Sequence, residues 1–341
     1  MRALVLRDFW RLEVEDRPDP QPGPDEVVIS VIATGICGSD IHGYTGENGR
    51  RVPGQIMGHE SVGRILAAGP GVDIGTGGVV TFNPVIAGPG AADTDPGHEY
   101  RSATRAIIGV VPDRAAAFAE QVVVPAANVV PLPDVMPAEY GALIEPLSVG
   151  YHAVVRGAVR AHDRVLVLGG GPIGQACYLG VRRAGASAVI VSEPNPQRRA
   201  LLTDIGARAL APAQDLAGAV RAALGGKADV VIDAVGINRT IADALTASKS
   251  GARIVLVGMG SPELSVAAYA VSTEERSIIG SFCYSAAEFR DTAEWVGTAP
   301  AEVGRLIEGR VGLDDADEAF TRLARGTAVE SKILICPGLS A

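Results

Sequence analysis

Over the first 132 or so residues, apolar and polar positions alternate in short runs that are interrupted by glycine and proline. The segments "EVVISVIATGI", "SVGRILAAG", "GGVVTF" and "AEQVVVPAANVVPLP" are rich in β-branched residues and bounded by turn residues, which predicts short strands. From about Leu147 the pattern changes to unbroken apolar runs, "RVLVLGG", "AVIVSE", "DVVIDAVG" and "RIVLVGMG", separated by alanine-rich stretches of helical spacing. Strands with no polar face, alternating with helices, predict a parallel sheet covered on both sides. Beyond about Gly280, "AEFRDTAEWV" and "DDADEAFTRLARG" read as amphipathic helices and "SKILIC" as a final strand. The expected fold class is α/β. A β-rich domain of residues 1–146 and 281–341 would surround a doubly wound domain of residues 147–280, with a ligand cleft where they meet.

Composition narrows the functional classes. A chain of 341 residues exceeds the size at which one core stops growing, in keeping with two domains. Hydrophobic residues make up 47% and charged residues 20%, which suits a folded globular chain. The 30 basic and 39 acidic residues give a net charge of −9, and no run of Lys or Arg is present, so neither nucleic acid nor an anionic membrane is an expected partner. Cys37, Cys177, Cys283 and Cys336 are scattered without framework spacing, which points to reduced thiols in the cytoplasm. No apolar run approaches the roughly 20 residues of a membrane span, and the amino end lacks the apolar core of a signal peptide.

The first chemical signal follows the strand "RVLVL". Gly169, Gly171 and Gly174 fill the three places of GxGxxG, and Pro172 suits the first turn of the helix that begins there. Such a turn lets a pyrophosphate approach the backbone, and the positive end of the helix holds its charge. The next strand ends on Glu193, 19 residues after Gly174, where a carboxylate accepts from the ribose hydroxyls of a dinucleotide. A 2′-phosphate would meet like charge there, so NAD is expected ahead of NADP. Arg198 and Arg199 stand nearby and leave NADP open, either compensating such a phosphate or lying solvated at a helix start.

The second signal is "GICGSDIHGYTG". Cys37 is followed 22 residues later by His59 and Glu60 in "GHE". A sulfur, an imidazole and a carboxylate suit zinc, and three protein ligands with one open position mark a catalytic rather than a structural ion.

Together these motifs resemble the zinc-dependent medium-chain alcohol dehydrogenase family, whose hallmark is Cys-Gly-x-Asp-x-His, then Gly-His-Glu, then a Rossmann domain. The segment "IEPLSVGYHA" is most similar to the polyol dehydrogenase branch. The resemblance implies a GroES-like catalytic domain and a Rossmann NAD-binding domain. It implies that Cys37 and His59 bind the catalytic zinc, with Glu60 and Glu145 as carboxylates that bind it directly, through water or alternately. Asp40 matches the residue that orients the ligating histidine. Ser39 and His42 match a proton relay running from the substrate hydroxyl through the cofactor ribose to the surface. Val149 and Ile173 match apolar positions against the nicotinamide, and Tyr44 is a candidate lining residue of the substrate pocket. Homodimers or homotetramers joined through the Rossmann sheet edge are also implied.

One departure from the family is informative. Relatives with a structural zinc carry four cysteines in a lobe where this chain has Ala87, Gly90, Asp93 and Arg101, so one catalytic zinc and no structural zinc is expected. Asp93, Asp95, His98 and Glu99 read as a solvated loop cluster rather than a substitute site. The implied reaction is hydride transfer between a secondary alcohol (a polyol, sugar alcohol, diol or cyclitol) and NAD, giving a ketone. Two alternatives stand beside it. One is a zinc-free quinone or enoyl reductase of the same superfamily, against which Cys37, His59 and Glu60 speak; the other is a non-catalytic nucleotide-binding protein, against which Ser39 and His42 speak.

Overall fold

The computed structural model describes residues 1–47, 49–88, 97–328 and 330–339. The chain divides into two compact units, Met1–Glu145 with Ser285–Ala341, and Pro146–Tyr284.

The first unit opens with the antiparallel hairpin β1 (Arg2–Asp8) and β2 (Arg11–Asp16). It continues through β3 (Glu26–Gly35), α1 (Gly38–Thr45), β4 (Glu60–Ala68), β5 (Val79–Phe82), β6 (Val85–Ile86), β7 (Ala106–Ile107), β8 (Gln121–Pro125) and β9 (Val129–Pro131). The second unit begins inside α2 (Ile144–Arg156) and alternates strands with helices: β10 (Val165–Leu168), α3 (Pro172–Arg183), β11 (Val189–Ser192), α4 (Pro196–Asp204), β12 (Arg208–Leu210), α5 (Leu216–Leu224), β13 (Ala228–Asp233), α6 (Asn238–Ala247), β14 (Ser248–Leu256), α7 (Ala268–Ser272) and β15 (Ser277–Gly280). The chain then returns to the first unit with α8 (Ala286–Gly297), α9 (Ala301–Gly304), β16 (Gly309–Val311), α10 (Ala316–Ala324) and β17 (Ile333–Ile335).

In the first unit β3 is the organising strand. It pairs antiparallel with β4 from Val27 to Gly35, with β8 from Glu26 to Ser30, and with β17 at Thr34 and Gly35. Flanked in this way, it buries Val27, Ile29 and Val31 against Ile65, Val80, Phe82 and Val124. A second core gathers Leu4, Leu6, Tyr44, Met57, Phe118, Phe320 and Ile335 beneath α1 and α10. Each such aliphatic or aromatic side chain contributes about 1.5–3 kcal/mol on burial, and together they fix the ends of β3 and β4, from which the metal-competent residues project.

The second unit is a parallel sheet in the order β12-β11-β10-β13-β14-β15. Val165, Leu166, Val167 and Leu168 of β10 are all buried, as its unbroken apolar run requires. This order, with β10 at the crossover from which the chain winds both ways, makes the unit Rossmann-like, and ligands bind outside the carboxyl ends of such strands. No helix among the described residues is long and apolar enough to cross a membrane.

Candidate metal and dinucleotide sites

Cys37 caps α1 from an extended conformation, φ −89° and ψ 152°, just past the end of β3. His59 directly precedes β4, whose first residue is Glu60, and the antiparallel register sets Glu60 opposite Gly35. Strand pairing thereby closes a 22-residue gap in sequence. The ligand atoms of Cys37, His59 and Glu60 all lie within 4.8 Å of one another, the last two residues being buried. Gly35 leaves room for this arrangement: a Cβ there would stand 2.2 Å from Glu60 Oε2.

Asp40, fully buried, is the hub behind the imidazole. Its Oδ2 accepts from the Cys37 amide at 3.2 Å, and its Oδ1 accepts from Arg51 Nη2 at 3.2 Å while facing His59 Nδ1 at 3.5 Å. Burial raises the Asp40 carboxyl, but the charge and hydrogen bond of His59, the charge of Arg51 and the Cys37 amide carry it below the ordinary carboxylate range. For His59, burial opposes protonation, yet the negative charges of Asp40 and Cys37 lift its pKa well above the usual histidine value. Among the described residues its Nδ1 has no further partner, so it faces Asp40 and the opposite ring nitrogen is left for a ligand.

Glu60 is held from the other side. Lys332, immediately before β17, donates to Glu60 Oε2 at 2.5 Å and to the Ile36 carbonyl at 3.0 Å. Burial lowers the Lys332 pKa, but the charges of Glu60, Cys37 and Glu145 bring it above the ordinary lysine value. Glu145, at the start of α2, lies outside the close Cys37–His59–Glu60 group. Sequence reasoning missed both Lys332 and Arg51. A signal existed for the first: lysine occurs only at 227, 249 and 332, and the last stands directly before the apolar run "ILIC". A cation at the head of a buried strand needs a buried partner.

The donor set fits zinc. Bonds of about 2.0–2.3 Å place tetrahedral ligands roughly 3.3–3.8 Å apart, a separation inside the 4.8 Å within which the three ligand atoms already lie. The negative charges of Asp40 and Cys37 that act on the imidazole also favour a cation there.

Ser39 and His42 stand three residues apart on α1, one turn of the same helix. Ser39 is half-buried; His42 is exposed, with Nδ1 2.9 Å from Glu47 Oε2. Tyr44 corrects an expectation. It is fully buried, wedged between Trp10 and Phe320 at ring separations of 5.7 and 5.3 Å, and its hydroxyl meets Thr321 at 2.8 Å and Asp317 at 3.2 Å. It therefore belongs to the core and does not line a pocket. Of the lobe residues, Gly90, Asp93 and Asp95 lie outside the described residues; Glu99 opens a short turn, Glu99–Arg101, and His98 packs 5.9 Å from Tyr100.

In the second unit the glycine turn sits between β10 and α3. Gly169 adopts φ +92°, a conformation that favours glycine. Above Gly171 the space is open, the nearest atom to an added Cβ being Arg198 Nη1 at 3.8 Å. A Cβ on Gly174 would stand 1.9 Å from the Gly169 carbonyl oxygen. The three glycines thus serve the turn, the approach of a ligand and helix packing in that order. Gly174→Ala is accordingly expected to abolish NADH binding in a fluorescence titration, because the turn must open to admit the methyl group.

Pro172 takes the first helical position of α3, and Ile173 follows it, half-buried, as is Val149 in α2. Glu193, directly after β11 and 3% exposed, accepts from the Gly170 amide through Oε2 and from the Asn195 amide through Oε1, both at 2.7 Å. Each oxygen retains a second lone pair for a ribose hydroxyl. Arg199 is committed to the carbonyls of Glu193 and Pro194, at 2.8 and 2.7 Å, whereas Arg198 leans over the turn.

A close Cys/His/Glu cluster on one unit and a glycine-turn Rossmann sheet in the other define the class of metal-assisted, nucleotide-linked dehydrogenases. Residues 23–134 match the alcohol dehydrogenase GroES-like domain, and residues 172–298 match the zinc-binding dehydrogenase family. The chain is 32% identical to sorbitol dehydrogenase 1 of Saccharomyces cerevisiae over 98% of both chains. It is 31% identical to a D-xylulose reductase A of Arthroderma otae over 97% of this chain and 96% of that one. Among solved structures, a zinc-binding dehydrogenase of Sinorhizobium meliloti 1021 bound to NADP superimposes with a TM-score of 0.90 at 31% identity, over 98% and 99% of the two chains. An Escherichia coli CFT073 alcohol dehydrogenase complexed with NADH gives 0.88 at 29% identity, also over 98% and 99%. The chain belongs to the zinc-dependent medium-chain dehydrogenase/reductase family, with a GroES-like domain and a Rossmann domain, and is an oxidoreductase.

Proposed function

We propose that this protein is a zinc-dependent polyol dehydrogenase that moves hydride between a secondary alcohol and NAD, with a ketone as the oxidised product. The observation that carries the reading is the close Cys37–His59–Glu60 group, whose histidine and glutamate are buried. Its sorbitol dehydrogenase and xylulose reductase relatives support a polyol or a related diol or cyclitol as substrate. Residues 1–146 and 281–341 would form the catalytic domain and 147–280 the nucleotide domain.

Cys37, His59 and Glu60 would hold one catalytic zinc per chain, with Glu145 as the alternative carboxylate; when bound, such an ion lowers the pKa of a coordinated hydroxyl, as it lowers that of water from 15.7 toward about 7. Asp40 fixes the ring of His59 and is itself held by Arg51. Lys332 faces both Glu60 and Cys37, so the donors would offset less of a bound ion's charge and leave it a stronger pull on a substrate hydroxyl. Ser39 and exposed His42, one turn apart on α1, would carry the hydroxyl proton outward, Ser39 accepting it while passing on its own and His42 releasing one to solvent. Gly169, Gly171, Pro172 and Gly174 receive the pyrophosphate, Glu193 the adenosine ribose, and Val149 with Ile173 the nicotinamide face. Glu193 supports NAD over NADP through like-charge repulsion of a 2′-phosphate, and Arg198 is the residue that tempers this preference. A homodimer or homotetramer, as the family resemblance implies, would join through an edge of the six-stranded sheet, where β15 is a terminal strand.

The test is metal analysis combined with a panel of polyols, diols and cyclitols, with NAD and NADP followed at 340 nm. About one zinc per chain is expected, with oxidation of a polyol that chelation removes and zinc restores. Oxidation at the untreated rate by protein verified to be zinc-free would overturn the mechanism.

A further inference from the structure

Gly170 lies between the first two fingerprint glycines, and the GxGxxG pattern gives it no role. Both of its backbone polar groups are nevertheless held by buried side chains. Its N–H donates to Glu193 Oε2 at 2.7 Å, and its carbonyl accepts from Gln175 Nε2 at 2.9 Å. Gln175 is 1% exposed, an uncommon setting for a glutamine in the first turns of a helix whose neighbours Ala176 and Cys177 are apolar core. An apolar side chain would fill that position without the need to satisfy a buried amide, so the glutamine is there for its bond.

The peptide bond is planar and trans, so the carbonyl of Gly170 and the N–H of Gly171 point in opposite directions across one rigid unit. By drawing that carbonyl toward α3, Gln175 fixes the Gly171 N–H in the opposite direction, away from its own amide. This donor matters more here than in a turn without proline. Pro172 has no N–H, so the start of α3 has lost one of the donors that a helix end presents to an anion.

We propose that Gln175 is a positioning residue for the cofactor pyrophosphate: it locks the Gly170–Gly171 peptide so that the Gly171 N–H meets the phosphates already oriented. Glu193 holds the preceding peptide in the same way. This inference rests on the dinucleotide-binding reading above.

The experiment compares the wild type with Gln175→Met, which keeps the length of the side chain and removes its donor. Dissociation constants are measured for NADH, ADP-ribose and adenosine. About a tenfold rise is expected for NADH and ADP-ribose, the loss of one oriented charge-assisted bond, with no change for adenosine, which has no phosphate. A merely structural role would shift all three ligands alike. Should the variant fold poorly, amide exchange on the wild type decides: Gly171 N–H should be protected by ADP-ribose and not by adenosine. An equal shift for the three ligands, no shift, or no selective protection of Gly171 overturns the inference. Failure of the wild type to bind either NADH or ADP-ribose would instead overturn the dinucleotide reading itself.

Discussion

Replacing Cys37 by alanine is expected to strip the protein of zinc and to slow alcohol oxidation by at least about a thousand-fold. The magnitude follows from the several kcal/mol that a Lewis acid contributes, at about 1.36 kcal/mol per factor of ten. NADH binding should survive, because the glycine turn and Glu193 belong to the other compact unit. Metal analysis, steady-state rates and NADH fluorescence on one preparation separate these effects. Retention of both zinc and turnover by Cys37→Ala would remove Cys37 from the ligand set.

The second large effect is expected at Lys332. The Lys332–Glu60 pair is almost entirely buried, its side chains 3% and 1% exposed. Lys332→Met leaves Glu60 charged and without a counterion, which costs about 3–5 kcal/mol. Both tryptophans, Trp10 and Trp295, lie in the metal-bearing unit, so their fluorescence follows the unfolding of that unit. In chelated protein the denaturant midpoint of this signal should fall sharply. Zinc should recover part of the loss by supplying positive charge to Glu60. The double variant Lys332→Met with Glu60→Gln should recover most of the stability and little of the turnover. If the single variant unfolds at the wild-type midpoint, the ion pair is not the counterion for Glu60.

Much of the fold was legible because it rests on local pattern. The apolar run of β10 ends in glycines that only a tight strand-to-helix turn explains, and the parallel sheet follows from four such runs. The proximity of Cys37 to His59 and Glu60 could be anticipated from residue chemistry together with the family resemblance of the two motifs, and the pairing of Gly35 with Glu60 supplies its physical means. What could not be read were partners set by distant strand register. Nothing near Glu60 in sequence announces Lys332, which reaches it only because β17 docks beside the end of β3. Arg51 escaped notice for a related reason: in a glycine-rich loop an arginine reads as solvated, and its burial depends on Gly43, where a Cβ would stand 2.2 Å from the Arg51 Cγ. Tyr44 was misplaced because its place beside the Cys37 motif says that it is near the site but not what covers it; Trp10 and Phe320 do so here.

The bond from Lys332 to Glu60 joins residues 272 positions apart, with a whole second unit synthesised between them. At about 5–20 residues per second on the ribosome, Glu60 waits roughly 14–54 seconds for its counterion. During that interval the carboxylate has every reason to stay in water, so the metal-bearing half cannot mature in the vectorial order that serves simpler two-domain chains. Its last described strand acts as a latch on assembly, and a chain that stopped ahead of it would leave Glu60 without its counterion.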